Sequence, residues 1–271
     1  MRRSILAVLL VLVLGLPAVA TAETVRLYAA GSLKAALSEV ARAFEARTPG
    51  VKVELQFGAS GLLRERIEKG EAAHVFASAD VGHPSRLADA GRAATGVAVF
   101  ARNRLCALVR EGLAVSPGTL LATLLDPAVR VGISTPKADP SGDYAFTLFA
   151  KAEKLKAGAQ AALEARALQL TGGPASEKAP PGRNPYAWVM AGGKADLFLT
   201  YCTNALLAQQ EVASLQIVQV PEELSVAADY GLIVLKDAPG AAHAFARFIL
   251  GDAGQAVLVR YGFGPGDGLP R

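Results

Sequence analysis

Four hydroxyl-bearing residues stand where an apolar strand-like run gives way to a helix-like one. Ser32 follows "VRLYAAG" and precedes "LKAAL", and Ser60 follows "VELQFGA" and precedes "GLLRERI". Ser141 lies in "ADPSGDYAF" behind "VRVGIS", and Tyr201 closes the apolar "DLFLTY". A serine at such a threshold supplies a hydroxyl donor together with the first free backbone N–H groups of a helix and the positive end of its dipole. That combination holds an anion without a charged side chain. Serine is also among the commonest helix caps, so a single case means little. Two in successive strand-helix units mean more, because both would lie at the carboxyl ends of parallel strands, where open α/β sheets bind ligands. Gly142 beside Ser141 permits close approach to the backbone, and the Tyr201 phenol would complete a ring of neutral donors.

The elements needed to position these residues alternate between apolar strands and amphipathic helices, the pattern of an α/β fold with largely parallel sheets. A strand is expected at 24–30 and a helix at 32–47, with Leu33, Ala36, Leu37, Val40, Ala41 and Phe44 on one stripe and Pro49-Gly50 as the stop. Strand 51–59, helix 60–71, strand 74–80 and a short helix 83–91 follow. "GVAVFARNRLCALVR" is β-prone from Gly96 to Arg110, long enough to cross between two lobes. "LQIVQVPEELSVAADYGLIVLKDA" is a second strand-like passage that brings the chain back. These crossings predict a first lobe made of 23–101 and 221–271 and a second lobe at 102–220. The second lobe should hold a helix at 117–128, a strand at 129–136, an Ala-rich helix or helix pair at 144–167, a helix at 186–195 and a strand at 196–201. Its "TGGPASEKAPPGRNP" can only be a loop. The last apolar-faced helices return to the first lobe.

Residues 1–22 read as a cleaved export signal: Arg2 and Arg3, an apolar run from Ile5 to Leu16, Pro17, and a small-residue site at Ala20-Thr21-Ala22, with cleavage after Ala22 and a periplasmic destination. The apolar run is short for a membrane span and nothing later exceeds it, so no membrane insertion is expected. Glu23 in place of a cysteine argues against a lipid anchor. Without Arg2 and Arg3 the net charge falls from +4 to +2. No basic run or basic-aromatic interleaving exists, which excludes nucleic acid as a partner. Cys106 and Cys202 either pair, as an exported protein allows, or remain two small buried residues. A zinc site from the scattered His74, His83 and His243 is weakly founded. "FGASGL" would need Gly where Leu62 stands to be a nucleophile elbow, so no enzyme is expected.

In order and spacing, "YAAGSL", "FGASGLL", "FASAD", "ADPSGDYA" and "GKADLFLTYCTNA" resemble the periplasmic molybdate-binding proteins of ABC importers, from about residue 24 to "VRYGFGP". The resemblance implies a type II periplasmic binding protein, two α/β lobes joined by two crossover strands, with a tetrahedral oxyanion in the cleft between them. It carries ligand contacts onto Ser32 and Ser60 through hydroxyl and N–H, onto the Ser141 N–H, onto Tyr201, and onto a backbone donor at Arg183. It implies molybdate and tungstate as ligands, a membrane permease as partner, no cofactor and a monomer. "SEKAPPGRNPYAW" departs from the family pattern and brings Arg183 and Tyr186 close to the expected site, and Ser141 replaces an alanine. The alternative is the same fold binding phosphate, sulfate or a small organic anion, with Arg183 in the site and Asp143 near enough to accept the proton of phosphate. Ferric iron is disfavoured because no two tyrosines are adjacent.

Overall fold

The computed structural model describes residues 23–267, so the expected export signal lies outside the described residues. The apolar run at the start forms β1 (Glu23–Ala30), flanked by β2 (Val51–Gly58) and β3 (Val75–Ser78), both parallel to it. Between them lie α1 (Lys34–Arg47), entered through a 3-10 turn at Gly31–Leu33, and α2 (Ser60–Glu68). The α1 stripe Ala36, Leu37, Val40, Ala41 and Phe44 is buried, as the spacing predicts. A short α3 (Gly82–Asp89) leads to β4 (Ala98–Val109).

β4 belongs to two sets of strands. Its first part, Ala98 to Arg104, pairs with β9 (Ala227–Val234), while Leu105 to Val109 pairs with β7 (Leu197–Tyr201) and Cys106 to Val109 with β8 (Gln216–Gln219). The sheet path is β2-β1-β3-β9-β4-β7-β5-β6, with β8 and the two-residue β10 (Gly264–Pro265) also on β4. β5 (Val131–Ser134) is parallel to both β6 (Leu168–Thr171) and β7. Each end of the path is therefore parallel, whereas β4 and β9 run antiparallel to their neighbours because they carry the chain out and back.

The second set of strands is covered by α4 (Leu120–Leu125), α5 (Pro140–Leu155), α6 (Ala159–Arg166), α7 (Pro185–Ala191) and α8 (Cys202–Glu211). The Ala-rich stretch is thus a helix pair, broken at Gly158, whose φ of 81° continues no α-helix. α9 (Gly240–Leu250) and α10 (Asp252–Arg260) pack back on the first set, with Phe245 against Phe44 at a ring-centroid distance of 5.1 Å. Cys202 is the first residue of α8, and it is disulfide-bonded to Cys106 in the later part of β4.

Candidate functional site

The carboxyl ends of both parallel sets open onto one cavity of about 40 Å³. From the first set it is lined by Ala30, Gly31 and Ser32 after β1, by Gly58, Ala59 and Ser60 after β2, and by Ala79 after β3. Across from them stand Asp139, Tyr186, Tyr201 and Asn204. That volume admits a solute of a few heavy atoms, since a single water needs on the order of 10–15 Å³ on the same measure.

Three helices begin at this cavity without a side-chain cap: the turn leading into α1 behind Ala30, α2 behind Ala59, and α8 behind Tyr201. Their dipole ends lie at the same small space, and in the first turn of α2 the Gly61 N–H is already taken by Ala138 O. α5 and α7 differ, for side chains cap their starts. Asp139 Oδ1 accepts the Ser141 N–H at 3.0 Å, and Asn184 Oδ1 accepts the N–H groups of Tyr186 at 2.9 Å and Ala187 at 3.1 Å.

Neighbouring groups fix the hydroxyls. Ser60 Oγ accepts the Ala79 N–H at 3.1 Å, which leaves its own proton to donate. Ser32 Oγ lies 3.0 Å from the Tyr230 hydroxyl, and Tyr230 in turn accepts from Asn103 Nδ2 at 3.3 Å. Tyr201 donates across the cavity to Ala79 O at 3.3 Å, and the Gly61 N–H donates to Ala138 O at 2.9 Å, so the two sides are in direct contact. Burial pushes the phenols of Tyr201 and Tyr230 well up and, with Asp139 beside it, that of Tyr186 to about 12. All three are neutral at physiological pH, and the one proton of Tyr201 goes to Ala79 O in this structure, so Tyr201 would have to turn from Ala79 to donate to a solute. Burial also raises the Asp139 carboxyl to about 6, against the hydrogen bond from Ser141 N–H and with added repulsion from Asp143.

The structure thus brings Ser32, Ser60 and Tyr201 together, and Tyr186 joins them. Ser141 is displaced from its expected role: its N–H is taken by the capping carboxylate of Asp139, and its Oγ is buried without a hydrogen-bond partner. Arg183 is not at the cavity. Its guanidinium pairs with Glu211 near the end of α8, its N–H donates to Pro180 O at 3.1 Å, and the next N–H, of Asn184, goes to Glu211 at 2.7 Å. Glu211 therefore clamps the loop to the outside of α8. Asp143 accepts the Lys137 N–H at 2.9 Å and does not line the cavity. The carboxyl that does line it is Asp139, which with Asn204 is not among the residues expected from the sequence. "DPSG" carried the signal, since Asp before Pro after a strand is a helix N-cap at the same level as Ser32 and Ser60. Asn204, two residues into α8, has no comparable signature.

Residues 25–264 match the family described as bacterial extracellular solute-binding protein. The uncharacterized protein PM1146 of Pasteurella multocida is 37% identical over 208 residues, 76% of this chain and 85% of that one. The molybdate-binding protein ModA of Mycobacterium tuberculosis is 28% identical over 246 residues, 89% of this chain and 85% of that one. Among solved structures, the sulfate-binding protein SubI of M. tuberculosis has a TM-score of 0.71 at 22% identity, covering 90% of this chain and 88% of that one. The periplasmic molybdate-binding protein of Azotobacter vinelandii has 0.70 at 22%, covering 91% and 100%. Iron-bound HitA of Pseudomonas aeruginosa has 0.62 at 22%, covering 90% and 86%. These likenesses establish the fold, which relatives with different ligands share.

Proposed function

The chain belongs to the bacterial extracellular solute-binding proteins, and from that premise we propose that it captures a small tetrahedral oxyanion, molybdate and with it tungstate, for import. The observation that carries this reading is the convergence of three uncapped helix starts and the hydroxyls of Ser32, Ser60 and Tyr201 on one cavity of about 40 Å³. Neutral donors suit a fully ionised oxyanion, and the size of the cavity rather than its charge would rank one oxyanion against another. The 28% identity to a molybdate-binding protein supports molybdate over the other ligands of the fold. An organic anion held by Arg183 is disfavoured, because that guanidinium is engaged by Glu211.

In this reading 23–101 with 221–271, and 102–220, are two lobes that close on the anion, hinged in β4 and in the passage between β8 and β9. The protein is exported to the periplasm after cleavage behind Ala22, works as a monomer without cofactor or chemical step, and hands the anion to the permease of an ABC importer. Ser32→Ala and Ser60→Ala are each expected to weaken molybdate binding by about 1–3 kcal/mol, the worth of a donor to a charged group; Ser60→Ala also lowers the melting temperature, because the buried Ala79 N–H loses its acceptor, while both variants still fold. Titration calorimetry of both variants checks this. Unchanged affinity in both would remove the site assignment.

A further inference from the structure

The neutral-donor account leaves one cavity residue without a part. Asp139 brings a carboxyl to a site that otherwise offers hydroxyl, amide and backbone donors. In a space screened from water, an ionised carboxylate beside a fully ionised oxyanion repels it far more strongly than in bulk solvent. A proton placed between the two turns that repulsion into a charge-assisted hydrogen bond.

The carboxyl is built in. Oδ1 caps α5 by accepting the Ser141 N–H at 3.0 Å, with Pro140 starting the helix. Gly172, at φ 76°, lies so close that a Cβ there would stand 2.5 Å from both Cβ and Oδ2 of Asp139. The titratable groups acting with it are Tyr186 on α7, Tyr201 at the end of β7, Tyr230 on β9 and Asp143 on its own helix. Ser134 on β5 adds a hydroxyl, and Ser32 and Ser60 face the cavity from the other side. The phenols remain neutral, Asp143 adds repulsion, and Arg183 is turned away to Glu211.

Building on the oxyanion reading of this cavity, we propose that Asp139 makes capture proton-coupled: the anion is held with one proton shared between it and the Asp139 carboxyl. A fully ionised anion such as molybdate takes that proton from solution. Hydrogen phosphate brings its own. Because burial pushes the carboxyl up only to about 6, it enters binding ionised above neutral pH and collects the proton as the cavity closes on the anion.

The test is calorimetric titration with molybdate slightly above neutral pH, in two buffers of different protonation enthalpy, for the mature protein and for Asp139→Asn. Asparagine keeps the oxygen that caps α5, so the variant is expected to fold. The parent protein should take up close to one proton per molybdate, with affinity falling about tenfold per pH unit above about pH 7. Asp139→Asn should take up none and show a flat profile. Phosphate bound by the parent without proton uptake, and more weakly by the variant, supports the proposal as well. Molybdate bound by the parent without proton uptake and with a flat profile overturns it and leaves the oxyanion reading standing. No binding of molybdate, tungstate, sulfate or phosphate from about pH 5 to about pH 8 overturns both.

Discussion

Gly61, the second residue of α2, meets the opposite side of the cleft at closest range. Its N–H donates to Ala138 O at 2.9 Å, and a Cβ there would lie 2.4 Å from Lys137 O and 2.8 Å from Ala138 O. Within α2 alone an alanine would be favoured by up to about 1 kcal/mol. In this contact, however, overpacking costs about 1–3 kcal/mol, so Gly61→Ala is expected to push the two sides apart, lowering or leaving level the melting temperature while molybdate affinity falls at least about tenfold. Paired melting and calorimetry check this, and unchanged affinity would contradict it. At this scale the sequence was legible where a residue's type and position sufficed, as for Ser32, Ser60 and Tyr201 at strand ends. It was not legible where a partner decides. Glu211, 28 residues beyond Arg183, draws that arginine off, and the Asp139 carboxylate occupies the Ser141 N–H.

Among the elements, the alternation of strands and helices could be read because long apolar stripes such as that of α1 announce themselves. Two elements escaped notice. β6 is four residues wedged between an Ala-rich helix and a Pro-rich loop, mostly exposed, and it is held as a strand only by pairing with β5, which is distant in sequence. α8 follows β7 with no intervening loop, so nothing in "YCTNA" marks the start of a helix. The junction between β7 and α8 is also where the disulfide acts: Cys202 follows Tyr201 directly and is bonded to Cys106, 96 residues earlier in β4. It ties the strand that carries the cavity phenol to the strand that crosses between the two sets. Replacing both cysteines by alanine should lower the unfolding free energy by about 2–4 kcal/mol in denaturant titrations, the usual worth of a bridge closing a long loop. Molybdate affinity should fall as well, because Tyr201 loses its anchor. A loss of stability without any change in affinity would make the bridge purely structural.

For the molecule as a whole, two parallel strand sets turn their carboxyl ends toward each other, so that helix starts from both sides face one space. A single α/β sheet would present such ends to solvent. Doubling the arrangement on β4 and β9 encloses them, and enclosure strengthens every N–H and hydroxyl directed into the cavity. Tyr201 to Ala79 O and Gly61 to Ala138 O join its two sides, and in the proposed function these are the contacts that would form as the lobes close. The general arrangement was visible in the two β-prone passages of the sequence, but the antiparallel course of β4 and β9 followed only from their pairing. In the proposed function this space holds a small tetrahedral oxyanion by neutral donors. Titration calorimetry of the mature, anion-stripped protein with molybdate, tungstate, sulfate and phosphate in separate runs tests it most directly. Molybdate and tungstate should bind tightly and one-to-one, with sulfate far weaker; absence of heat from all four anions would rule out an oxyanion site here.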